Sequence, residues 1–250
     1  MFVYDLSTRL ACSTLLFRAQ SLDRALDGVK AAGIDHVDLW AAPTVLAHVA
    51  PESESAADVQ AGLEARGLRA SSVTAIATSG DDMLQRISFA AELGARVVIA
   101  TAPPRDYDRR EAADDVRAYG RTAQEAGVTL CLAHQAETWM DTAEEVASFL
   151  DDVGHPRVQL SLDPAQAARD GLTFEALADA AGARIGHVHL ASADPDNSDA
   201  LGAMLDQLEE RNYYGMFTFS WDGTADLPPE QVEATVREAR AHVLEVSKAG

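Results

Sequence analysis

The feature that most limits what this chain can become is a repeat, visible once glycine is treated as punctuation. A helix-like segment closes on glycine, and two or three residues later a short apolar run begins. The pattern occurs at Gly33 (AAGIDHVDLW), Gly67 (ARGLRASSVTAI), Gly94 (ELGARVVIAT), Gly127 (EAGVTLCLA), Gly154 (DVGHPRVQLSLD), Gly182 (AAGARIGHVHL) and Gly215 (YYGMFTFSW). Glycine takes the left-handed conformation just past a helix end without steric cost. Each following run is rich in Val, Ile, Leu or Phe, as suits a strand buried on both faces. The opening run, Leu10 to Leu16, brings the count to eight.

Helical patterns fill the intervals. Ser21 is placed to cap LDRALDGVKAA, Asp81 or Asp82 to open the third helix, and Thr142 to cap AEEVASFLDDV with Glu145 completing a capping box. Strict alternation means parallel strands and right-handed crossovers. Eight units of roughly 30 residues without a linker favour one α/β domain over 1–250, a closed (β/α)8 TIM barrel. Strands are expected near 9–16, 35–40, 69–76, 96–101, 128–134, 157–163, 184–190 and 216–221. The competing doubly wound sheet would normally carry a glycine-rich phosphate loop, and neither GxGxxG nor GxxxxGK[ST] occurs. Two long loops, Ala41 to Ser55 and Ala191 to about Asp199, follow strand ends, where barrel loops line active sites.

Charge narrows the partners. With 20 basic and 40 acidic residues the net charge is -20, which repels phosphate backbones and anionic lipid, so neither nucleic acid nor membrane is an expected partner. A small-molecule substrate is expected, and a homo-oligomer is compatible with the sequence. The two cysteines, Cys12 and Cys131, read as buried strand thiols rather than a disulfide framework, which suits a reducing cytosol. MFVYDLSTRLACSTLLF lacks the basic start and long apolar stretch of a secretory signal, so a cytoplasmic location is expected.

The strand ends carry the chemistry. The fifth strand ends at His134, followed by Gln135 and Glu137; the sixth ends at Asp163, followed by Gln166; the seventh ends at His189; the eighth ends at Ser220, Trp221 and Asp222. In a barrel these groups surround one mouth, so His134, Asp163 and His189 are expected to converge. Two imidazoles and a carboxylate suit Mn, Fe or Zn. Simpler roles compete: Asp163 precedes Pro164 and is placed to cap a helix. His187 and His189 lie two apart and share the inward face, His187 packed one layer below His189. His36, His48, His155 and His242 lack a partner motif. Trp40 and Trp221 follow strand ends and suit the apolar wall of a ring pocket.

These segments resemble the xylose-isomerase-like family of sugar isomerases, epimerases and dehydratases. IDHVDLW is similar to the family's second strand, HPRVQLSLD to its sixth, IGHVHL to its seventh and YYGMFTFSWDG to its eighth. The resemblance implies one divalent metal held by Glu, Asp, His and Glu, with the glutamates as acid and base. Asp163 matches the aspartate and His189 the histidine. The glutamates fall at Ala133 (or Leu132) and Ser220, and a further family histidine falls at Gln166. Glu137 matches a substrate-side glutamate of some members.

An isomerase or lyase is therefore expected, working by general acid–base chemistry on a small sugar-like or cyclic hydroxy-carbonyl substrate. Asp163, His189, His134 and Glu137 are its candidate catalytic groups, and Trp40, Gln166, Ser220, Trp221 and Asp222 its candidate binding groups. No cofactor is favoured; the alternatives are a rebuilt Mn, Fe, Co or Zn site on His134, Asp163 and His189, or a binding barrel that has lost the family's chemistry. Alanine and serine supply no carboxylates, so the purified, dialysed protein is expected to hold well under one equivalent of these metals by elemental analysis. One tightly held equivalent would point to the rebuilt triad instead.

Overall fold

The computed structural model describes residues 6–76, 79–190, 198–220 and 227–249. Eight parallel strands close on themselves: β1 (Leu10–Ser13), β2 (His36–Ala42), β4 (Arg69–Ala75), β5 (Val97–Thr101), β6 (Thr129–Ala133), β7 (Val158–Leu162), β8 (Ile185–Leu190) and β9 (Phe217–Phe219). The β1–β2 pairing completes the ring, with Ser13 beside Asp38. A short strand, β3 (Leu46–Ala47), pairs antiparallel with the end of β2 and gives the long loop after β2 a hairpin that the residue pattern did not announce. Among the described residues no helix is long and apolar enough to cross a membrane.

Around the ring lie α1 (Leu22–Ala31), α2 (Ala56–Glu64), α3 (Gly80–Glu92), α4 (Arg109–Ala126), α5 (Ala143–Val153), α6 (Pro164–Arg169), α7 (Phe174–Ala181), α8 (Ser198–Glu210) and α9 (Pro229–Ala249). Ser21 accepts the Arg24 N–H and Thr142 the Glu145 N–H, the expected caps. At α3 the cap is Ser79, which accepts the Asp82 N–H; Asp81 and Asp82 occupy the first turn, where negative charge complements the helix dipole. The first strand is shorter than its apolar run. The Ser13 hydroxyl accepts the Leu15 N–H and turns 14–17 into a 3-10 helix. After α8 the left-handed residue is Asn212 (φ 56), not Gly215. Gly215 is required instead by packing: a Cβ there would lie 2.5 Å from the Tyr213 hydroxyl.

Outward strand residues such as Leu39, Val73, Leu130, Leu160, Val188 and Phe217 form the apolar layer under the helices. The interior differs from the branched apolar filling usual for such barrels. Ser13, Asp38, Ser72, Thr74, Ser161, His187, His189 and Thr218 are all buried. A bulge sets the position of the last histidine. Leu160 pairs with Ile185, but Ser161 pairs with His187, so the register shifts at Gly186. A Cβ on Gly186 would lie 2.5 Å from Cys131 Sγ and 2.6 Å from Gln159 Oε1. Overpacking of this kind costs about 1–3 kcal/mol. Gly186→Ala should lower stability by that amount in urea unfolding, and adding Cys131→Ala should recover part of it; additive losses would show that the two positions do not meet.

Candidate functional site

At the C-terminal ends of the strands lies a cavity of about 250 Å³, small beside the ~300–1,000 Å³ of drug-sized sites. Leu15, Trp40, Ile76 and Ile99 give it an apolar side. His134, Gln135, Asp163, Gln166, Arg169, His189 and Ser220 give it a polar one. Larger hollows of about 530 and 760 Å³ open among Arg69, Arg96 and Arg240 near the N-terminal ends of strands. Function in such barrels concentrates at the opposite, C-terminal end, and the convergent imidazoles and carboxylate are there.

Asp163 serves two masters with two oxygens. Its Oδ1 accepts the Ala165 and Gln166 N–H groups at 2.9 and 3.0 Å and caps α6. Its Oδ2 faces His189 Nδ1 at 3.7 Å, within ion-pair range and beyond a hydrogen bond. One oxygen thus caps the helix while the other faces an imidazole in the cavity. Burial alone would push the carboxyl up, but the His189 ring, the Gln166 N–H and His134 outweigh it and hold the pKa at about 2.

His134 is buried, and its Nε2 accepts the Asp163 backbone N–H at 3.4 Å, so this imidazole carries its proton on Nδ1. Burial lowers its pKa and keeps it neutral near pH 7. His187 is fully buried one layer below, 4.9 Å ring to ring from His189, and burial pushes its pKa well down. Trp40 forms part of the wall, with its backbone N–H on Thr14 Oγ1 and its indole N–H without a partner among the described residues. Gln166 and Ser220 line the cavity. Glu137 does not: it is exposed, in a left-handed conformation (φ 64), on a turn tied outward by the Pro104–Thr138 bridge. Trp221, Asp222 and most of the loop after Leu190 lie outside the described residues.

Two residues escaped the sequence reading. Asp38 is fully buried and accepts hydrogen bonds from Ser13 (2.9 Å), Ser72 (2.9 Å) and Thr74 (3.0 Å). Burial pushes its carboxyl up, against the pull of His189 and these hydroxyls. Its signal was period-two spacing with His36 and Trp40, which puts it inside the barrel. Arg169 lines the cavity three residues after Gln166, one turn along α6.

The donor set does not fit the four-ligand metal site that the resemblance implies. Ala133 ends β6 and Ser220 follows β9 where carboxylates would be needed, and among the described residues no three His, Cys, Asp or Glu side chains are grouped to hold an ion. What the arrangement offers is an ionised carboxylate beside an imidazole, a second neutral imidazole, and hydroxyl and amide groups for substrate oxygens.

The depressed Asp163 pKa makes a linkage prediction. A carboxyl ionising at about 2 when folded and about 3.9 when unfolded adds stability above the unfolded value and loses it as pH falls towards the folded one. Wild type should lose on the order of 2 kcal/mol between about pH 4 and 2 that Asp163→Asn, which keeps the cap, does not lose. Parallel stability–pH curves for the two proteins would refute it.

A family model described as xylose isomerase-like TIM barrel matches residues 26–243. A search of curated proteins gave no match. Among solved structures, the chain is similar to L-ribulose 3-epimerase (TM-score 0.77, 19% identity, covering 97% of this chain and 96% of that one). It is also similar to D-psicose 3-epimerase solved in the presence of D-fructose (TM-score 0.79, 14% identity, 96% and 99% covered). A third is the probable 3-DHS dehydratase involved in petrobactin synthesis from Bacillus anthracis (TM-score 0.70, 16% identity, 92% and 97% covered). At these identities the structural likenesses establish the shared barrel, and the family match, spanning most of the sequence, establishes membership: the chain belongs to the xylose isomerase-like TIM-barrel family.

Proposed function

We propose that this protein is an isomerase, epimerase or lyase that moves protons on a small sugar-like or cyclic hydroxy-carbonyl substrate, with His189 as proton carrier and Asp163 as its fixed counter-charge. The observation that carries this reading is the 3.7 Å approach of Asp163 Oδ2 to His189 Nδ1 in the mouth cavity. Asp163, ionising near 2, is too weak a base to take a proton from carbon at neutral pH. Its role is to orient the imidazole and to stabilise the imidazolium formed when His189 accepts the proton. His134, neutral and beside Asp163, is the second proton carrier. Removal of the proton next to a carbonyl leaves an enolate. Its return on the other face gives epimerisation, and loss of a β-hydroxyl as water gives a dehydratase. The indole N–H of Trp40 and the Ser220 hydroxyl are the groups we assign to substrate oxygens. Epimerases and a dehydratase among similar structures support this choice of reaction class. The net charge of -20 supports a small-molecule partner over nucleic acid or membrane, and the free buried cysteines support action in a reducing cytosol.

The test is deuterium incorporation at the carbon beside the carbonyl, followed by NMR across ketoses and cyclic hydroxy-keto acids in D2O. Asp163→Asn and His189→Gln should each slow exchange on the order of 10²–10⁴-fold while both variants stay folded, Asp163→Asn giving up at neutral pH only the ~2 kcal/mol that its ionised form contributes. Full exchange in both variants would place the chemistry elsewhere; absence of exchange in wild type across the panel would favour a binding barrel.

A further inference from the structure

We infer that the substrate of this cavity carries a carboxylate and that Arg169 receives it; the inference rests on the acid–base reading of the same cavity. Arg169 is the one lysine or arginine among the described residues that line the mouth of a protein with a net charge of -20. Elsewhere arginines are commonly matched to acids, as in Arg66 with Asp23 and Asp27 or Arg109 with Asp152. Arg169 is not. Its guanidinium donates to the uncharged Gln166 Oε1 at 2.7 Å, and no described carboxylate lies within ion-pair distance of it.

The same glutamine also binds the neighbouring acid. Gln166 Nε2 donates to both oxygens of Asp170, at 3.0 and 2.9 Å. One amide thus bridges Asp170 and the exposed Arg169, holding the guanidinium while leaving it with no described carboxylate partner. A guanidinium has five N–H donors in a planar fork, matched to a carboxylate in bidentate geometry. A single cation balances a carboxylate monoanion, whereas a phosphate dianion would call for a second. Asp163, ionised in the same cavity, repels an anionic group. The two opposite charges therefore give the bound substrate a direction: its acid end to Arg169, its neutral hydroxy-carbonyl end to His189, its carbon skeleton along Ile76 and Ile99.

Calorimetry on the full chain with D-arabinonate and D-arabinitol tests this, because the two probes share five carbons and differ in charge. Wild type should bind the acid at least about tenfold more tightly, and the preference should shrink in high salt. Arg169→Gln should weaken the acid about 10–100-fold and leave the alcohol unchanged. Gln166→Glu, which sets a carboxylate against the guanidinium, should weaken the acid similarly, while Arg169→Lys retains part of the preference; melting temperatures report folding in each variant. Equal binding of the two probes, binding of neither, tighter binding of D-arabinose 5-phosphate, or a preference that survives Arg169→Gln would each overturn the inference. The two readings fail separately. Asp163→Asn should keep acid binding while losing deuterium exchange, so exchange without acid preference sinks the carboxylate alone, and acid preference without exchange sinks the acid–base reading alone.

Discussion

The structure hangs on a carboxyl group that has no access to water. Asp38 sits inside the barrel where the ring closes, and its hydrogen bonds reach Ser13 on β1 and Ser72 and Thr74 on β4. Three adjacent strands are thereby pinned in one register by side chains as well as by their backbone ladders. An unpaired buried carboxylate would cost several kcal/mol, so the three hydroxyls are a condition of its presence. The same residues shape the wall above. Ser13 also accepts the Leu15 N–H, and Thr14 accepts the Trp40 N–H, which sets two cavity-lining side chains, Leu15 and Trp40, relative to the closure point.

On the other side of the ring the interior is polar for a different reason. Burial pushes the His187 pKa well down, and burial pushes the Asp38 carboxyl up, so both press towards their neutral forms. Charge in the barrel is thus concentrated at its mouth, where Asp163 stays ionised. A carboxylate and a cationic guanidinium at one entrance, over a floor biased against charge, focus the local field on whatever enters.

Much of this was legible in the chain. Glycine spacing and the Val-, Ile-, Leu- and Phe-rich runs between helical patterns give a parallel barrel, although buried polar residues such as Ser72, Thr74 and His187 alternate within those runs. The positions of Asp163 and His189 follow from strand ends. Boundaries were less legible where a side chain intervened: the Ser13 hydroxyl ends β1 early, and Ser79 precedes the aspartates that looked like the cap of α3. Asp38 was hidden for a physical reason. Its spacing with Trp40 places it on the inner face, but the hydroxyls that make a buried acid tenable, Ser13 on β1 and Ser72 and Thr74 on β4, come from other units of the repeat. Glu137 follows its strand by several residues, so spacing alone does not place it, and in the structure it is exposed on a turn outside the cavity. The bulge at Gly186 has no sequence mark beyond the glycine itself.

The divided duty of Asp163 has a consequence for how fast such a site can work. A carboxylate free to rotate must be immobilised each time a charge forms beside it, and the solvent around it must reorganise. Here one oxygen is already bound to the first turn of α6, so the rotamer that aims the other at His189 is selected when the chain folds. The entropy of ordering that group is lost once, at folding, and on the proposed acid–base reading would not be lost again in each turnover. On the proposed acid–base reading the first turn of this helix would hold the carboxylate in place, and fraying it would release the carboxylate and blur the site while leaving the barrel standing.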